Sequence, residues 1–171
     1  IKWSERKMQW TAPSGATLWM SYLDKDQDVT KYQGLAFSWI GFDELTQWAT
    51  PFAWNYMRSR LRSADPELPL CMRATTNPGG RGHAWVKKMF IDPSPAGKSF
   101  IATDIETGEP LKYPAGHAKA GRPLFKRRFI PARLKDNPYL SQQGDYEAML
   151  LSLPEQQRRQ LLDGDWDIKE G

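Results

Sequence analysis

An almost unbroken apolar run, Leu35-Ala36-Phe37-Ser38-Trp39-Ile40-Gly41-Phe42, ends abruptly in two acids, Asp43 and Glu44. In open α/β sheets, chemistry collects at the carboxyl ends of strands. Nucleotide hydrolysis needs one carboxylate to hold Mg²⁺, usually through water. It needs a second to orient or deprotonate the attacking water. Adjacent acids at a strand end point in different directions and can divide those tasks, Asp43 serving the metal and Glu44 the water. The competing reading is structural: Asp43 as the N-cap of a following helix, with Glu44 in its first turn.

A second polar strand exit, Arg73-Ala74-Thr75-Thr76-Asn77-Pro78-Gly79-Gly80, follows about thirty residues later. The hydroxyls of Thr75 and Thr76 and the amide of Asn77 suit contact with a γ-phosphate or the attacking water. Their hydrogen bonds would change when phosphate leaves, which makes them a sensor and coupling element. Gly79 and Gly80 permit backbone conformations that other residues resist. Read structurally, the same segment is ordinary turn chemistry. Taken together, the two strand ends favour nucleotide chemistry.

The elements that must position these residues are an alternation of strands and helices. Residues 35–42 and 68–76 read as strands buried on both faces of a parallel sheet. A helix is expected over residues 45–62, kinked or restarted by Pro51, and a short one over 82–90. Residues 2–12 and 17–23 read as a hairpin around Pro13-Ser14-Gly15. Short strands are expected at 99–103, 111–113 and 124–131, with a turn at 106–109. Helices should span about 141–152 and 155–163, Pro154 opening the second and Gly164 stopping it.

The chain has 171 residues with 26% charged, enough for a core without staples. A single cysteine, Cys71, excludes a disulfide framework and a Cys-rich zinc site and reads as an inert core thiol. Two histidines, His83 and His117, argue against a His-based metal site. No apolar run reaches the roughly 20 residues of a membrane span, and no signal-peptide pattern opens the chain. An intracellular compartment is therefore expected. The start at Ile1 suggests a piece cut from something longer. Of the eight tryptophans, Trp3, Trp10, Trp19, Trp39 and Trp85 are expected in the core.

Charge is unevenly distributed. Residues 111–135 hold eight Lys/Arg and no acid, whereas residues 136–171 hold eight acids against three bases. The basic stretch, Lys126, Arg127 and Arg128 included, suits a phosphate-bearing partner such as DNA. Read structurally, it is a solvated loop, or it faces the chain's own acidic tail.

In order along the chain, Tyr32-Gln33-Gly34, Gly41-Phe42-Asp43-Glu44-Leu45 and Ala74-Thr75-Thr76-Asn77-Pro78-Gly79-Gly80 resemble the large terminase subunit of tailed bacteriophages. So do Phe129-Ile130-Pro131-Ala132-Arg133, Asp136-Asn137-Pro138-Tyr139-Leu140 and Leu161-Leu162-Asp163-Gly164-Asp165-Trp166. The resemblance covers nearly the whole chain. It implies an α/β fold, the second half of a P-loop NTPase domain of the ASCE type. Its sheet would be mostly parallel and flanked by helices, with added β-hairpins. Residues 1–135 would carry Walker B and the coupling motif, and 136–171 would lead helically toward a nuclease domain. Asp43 would be the Walker B acid that holds Mg²⁺, Glu44 the catalytic glutamate, and Thr75, Thr76 and Asn77 the coupling motif. Arg81 or Arg73 is the candidate for an arginine donated across subunits, with Lys31 a further basic position just ahead of the Walker B strand.

The parent would hydrolyse ATP to drive double-stranded DNA into a procapsid and then cut it. It would work as a homo-oligomeric ring on the portal protein, with the small terminase subunit, in the host cytoplasm and without a membrane. One departure is clear. Gly97-Lys98-Ser99 is a fragment of a phosphate loop, but Asp92 stands where the first glycine belongs, and no buried strand precedes it. The true loop is expected before Ile1 and the nuclease acids after Gly171, leaving the isolated chain without ATPase or nuclease activity. Two alternatives remain: another helicase-like nucleotide-driven motor, or a non-catalytic nucleic-acid- or portal-binding module in which Asp43 and Glu44 only cap a helix.

Overall fold

The computed structural model describes residues 1–141 and 144–168, with the side chain of Ser141 left aside. The expected helix over about 141–152 therefore falls in part outside the described residues. The chain forms a mixed α/β fold with three small sheets, none closed into a barrel among the described residues. Among those residues, no helix is long and apolar enough to cross a membrane.

The amino-terminal segment is an antiparallel meander of Lys2–Ser4 (β1), Gln9–Thr11 (β2) and Thr17–Trp19 (β3). The single strand expected over residues 2–12 is thus two strands. The charged run Glu5-Arg6-Lys7 forms the turn between them, closed by the Met8 amide on the Glu5 carbonyl at 3.1 Å. Register places Trp3, Trp10 and Leu18 side by side across the meander. Their face is open, so the expectation of core burial fails for Trp3 and Trp10, which are 43% and 41% exposed. Trp19, on the opposite face, is also exposed and reaches only an edge-on contact with Phe37.

Trp39–Phe42 (β4) and Cys71–Ala74 (β5) form a parallel pair, and an isolated parallel bridge joins Phe37 to Leu61 just ahead of β4. The other two sheets are antiparallel, so the fold is less parallel than expected. Neither strand is buried on both faces. Ile40 is buried, but Trp39 is 48% exposed, and Leu68 and Leu70 lie exposed ahead of β5. Cys71 is only half-buried. The Trp39 ring folds across Gly41, and a Cβ there, 2.4 Å from the ring, would displace it.

The helix expected over 45–62 divides at Pro51. A 3₁₀ turn spans Leu45–Gln47, and an α-helix, Phe52–Arg58 (α1), restarts after the proline. Its Ala53 and Met57 join Val29 and Ile40 in one core cluster. Trp54 faces a second cluster with Leu45, Trp85, Val86, Met89 and Trp166. Phe42, Trp48 and Met72 touch both clusters and join them.

His83–Val86 (α2) continues without a break into a π-helical turn, Lys87–Ile91. Ser99–Ile101 (β6) pairs antiparallel with Lys126–Arg128 (β7). The intervening turn is tied by Asp104, whose Oδ1 accepts from the Glu106 and Thr107 amides at 2.9 Å each. The carboxyl-terminal part holds Pro138–Ser141 (α3), Gly144–Leu151 (α4) and Glu155–Arg158 (α5). Helix α5 runs into a second π-helical turn, Arg159–Asp163, stopped by Gly164 at φ 62°. Trp166 and Ile168 then turn inward and are buried.

Candidate active site at the ends of two parallel strands

Because β4 and β5 are parallel and in register, Phe42 stands opposite Ala74. The residues that follow, Asp43 and Thr75, therefore leave the sheet side by side. The Thr75 amide donates to the Phe42 carbonyl, and the Leu45 amide to the Thr75 carbonyl, each at 3.0 Å. The Thr75 hydroxyl donates to Oδ1 of Asp43. The two strand ends that the sequence singled out are thus one site.

Glu44 adopts the left-handed conformation, φ 51° and ψ 53°. Left-handed backbone is costly for a residue with a Cβ, and such positions cluster at functional sites. Glu44 precedes the 3₁₀ turn but makes no side-chain cap bond, and Asp43 bonds Thr75 rather than a helix amide. Neither acid side chain therefore caps a helix, although Glu44 stands at the N-cap position and its carbonyl accepts from the Gln47 amide at 2.9 Å. Both are exposed.

The second hydroxyl does different work. Thr76 Oγ1 accepts from the Thr46 amide at 3.0 Å and donates to Thr46 Oγ1 at 2.8 Å. Thr46 Oγ1 in turn donates to the Asn77 carbonyl at 3.0 Å. Thr46 is only 2% exposed. Its carbonyl accepts from the Gly82 amide at 2.7 Å. A Cβ at Gly80 would come within 2.8 Å of that same carbonyl, and Gly80 has φ +79°. Glycine is therefore needed where the 75–82 loop closes over Thr46. Nothing in its charge marks Thr46; its place two residues past the acid pair was the available signal.

The Asn77 side chain is exposed. Arg73 and Arg81 are exposed too, and among the described residues neither side chain makes an ion pair or a hydrogen bond. The Gly97-Lys98-Ser99 segment leads into strand β6 rather than a helix, unlike a phosphate loop.

The basic residues of β7 divide. Lys126 and Arg128 face solvent, whereas Arg127 is 9% exposed. Arg127 donates from Nη1 to the Thr103 carbonyl at 2.9 Å and lies against Phe90 and Phe125. Arg58 covers Phe125, its guanidinium carbon 4.2 Å from the ring centroid. Burial, and then the like charge of Arg58, lower the Arg127 guanidinium to about 10.

Mg²⁺ takes oxygen ligands and commonly uses one or two carboxylates, completing its shell with water and substrate phosphates. Asp43 fits that demand: Thr75 engages one oxygen, and the carboxylate is exposed. Among the described residues, no group of three or more His, Cys, Asp or Glu forms an all-protein cage. No family model, curated protein or solved structure matches the chain.

Proposed function

We propose that this chain is the Walker B and coupling portion of a partial P-loop ATPase domain from a large terminase subunit. One observation carries the reading: two polar strand ends, about thirty residues apart in sequence, meet through the Thr75 hydroxyl on the Asp43 carboxylate. The absence of side-chain capping by either acid supports it further.

The substrate is ATP. Mg²⁺, when bound, neutralises phosphate charge. Asp43 would hold the metal, and Thr75 fixes the orientation of that carboxylate. Glu44, set apart by its left-handed backbone, orients the attacking water. Thr76 and Asn77 report departure of the phosphate through Thr46. Arg81, or Arg73, is free to meet a neighbouring subunit's nucleotide in a homo-oligomeric ring. The parent moves double-stranded DNA into a procapsid at the portal protein, with the small terminase subunit, in the host cytoplasm, and carries the endonuclease that cuts it. Lys126 and Arg128 offer contacts to the DNA backbone.

The test is ATP binding and turnover by the intact parent protein. Glu44→Gln should reduce kcat by about 10²-fold or more with ATP affinity unchanged. Full turnover in that variant would favour the non-catalytic binding module instead. Equal loss of binding and turnover would remove the assigned role.

A further inference from the structure

The loop that follows β5 meets the carboxyl-terminal segment at two places, through the His83 imidazole and at Gly79 itself. His83 Nδ1 accepts from the Gly79 amide at 2.8 Å. The same imidazole stacks on Trp166, ring centroids 5.3 Å apart and planes 24° from parallel. Trp166 is buried in the core cluster with Leu45 and Trp85, and Phe129 meets it edge-on. Gly79 also abuts Gln160: a Cβ there would lie 2.6 Å from Gln160 Nε2.

Both elements that meet here are wound with π-helical turns, Lys87–Ile91 and Arg159–Asp163. Such turns are rare and frequently sit at functional sites. Lys87, in the first of these turns, donates from Nζ to Oδ1 of the exposed Asp167, beyond the second, at 2.6 Å.

We propose that His83 is a positioning residue and that its stack on Trp166 is the joint through which the 75–80 loop moves residues 155–168. The inference rests on the nucleotide reading above and extends it by naming the path. When Thr76 and Asn77 rearrange, Gly79 moves with them. The Gly79 amide is hydrogen-bonded to the imidazole, so the ring must tilt or lose its partner. Trp166 stacks on that ring, so a tilt of the imidazole shifts the indole and the segment that carries it.

The test compares amide hydrogen exchange in the intact parent protein with Mg²⁺-ADP and with a non-hydrolysable Mg²⁺-ATP analogue. In wild type, protection should differ between the two nucleotides at residues 75–77 and at residues 155–168. His83→Phe keeps a ring but deletes the acceptor. It should retain the difference at 75–77 and lose it at 155–168. His83→Gln keeps an acceptor and removes the ring, and the same loss is expected.

A purely structural histidine would lower protection in both nucleotide states alike and preserve their difference; that result overturns the joint. So does a wild-type protein that responds at 75–77 but not at 155–168, an outcome that leaves the nucleotide reading standing even where both variants misfold. A wild-type protein that binds neither nucleotide removes that reading and this inference together.

Discussion

Glu44 carries two burdens at one position. The proposed chemistry uses its carboxylate, yet its backbone is left-handed at φ 51°. For an L-residue that conformation costs about 1–2 kcal/mol, which glycine avoids while giving back part of the gain in unfolded-chain entropy. Glu44→Gly should therefore stabilise the fold by about 0.5–1 kcal/mol in urea titration while abolishing turnover. A variant both less stable and less active would mean that the glutamate side chain holds the turn together. Thr75 and Thr76 show how neighbours of one type divide. The Thr75 hydroxyl faces the exposed acid, while that of Thr76 is absorbed by the half-buried network around Thr46.

Short elements here are held at their ends by carboxylates that accept backbone amides. Asp28 caps the turn at Lys25 and Asp24, Asp104 that at Thr107 and Glu106, and Asp165 accepts from Asp167 and pairs with Arg159. Those donors favour the ionised form, so each pKa is lowered in the folded chain. The stability they supply is present above the unfolded pKa of about 4 and is lost as pH falls through the lower folded values. Urea midpoints measured from pH 6 downward should fall below about pH 4. Replacing all three aspartates with asparagine should flatten that decline, and an undiminished decline would assign it to other groups.

Much at this scale was legible. The acid pair, the Thr-Thr-Asn exit, the restart at Pro51 and the stop at Gly164 are local signals, written in residues that cap, break or end elements. What failed was solvent exposure. Trp3, Trp10, Trp19 and Trp39 have the composition of a core, but whether a strand face is covered depends on what packs there. Hydrophobicity along the strand does not encode that. The roles of Thr46, His83 and Trp166 were missed for a related reason. His83 and Trp166 stand out in the sequence for other reasons, but the contacts of Thr46 with Thr76 and of His83 with Trp166 join residues tens of positions apart, which local sequence does not encode.

At the scale of the whole molecule, the basic stretch 111–135 lies at the surface except at Arg127, which turns inward. Lys126 and Arg128 flank Arg127 on β7, yet Arg127 serves the interior, wedged with Arg58 against Phe125. If the proposed function holds, binding of the intact parent to duplex DNA, measured against salt, separates the two roles. Lys126→Ala with Arg128→Ala should reduce the slope of log affinity on log salt by about 2. Arg127→Met should leave the slope unchanged and lower thermal stability. An unchanged slope in the double variant would take this strand out of the DNA path.

The parallel pairing of β4 and β5 has a mechanical side. The two strands are joined rung by rung from Trp39–Cys71 to Phe42–Ala74, with further bonds from Cys71 to Ser38 and from Thr75 to Phe42. A load pulling one strand along its axis past the other is shared by every rung at once. A load pulling them apart sideways meets the rungs singly. The ribbon is therefore stiff along the direction in which Asp43 and Thr75 emerge and compliant across it. A domain that works against tension would keep its acid and hydroxyl in register as long as the pull runs along the strands.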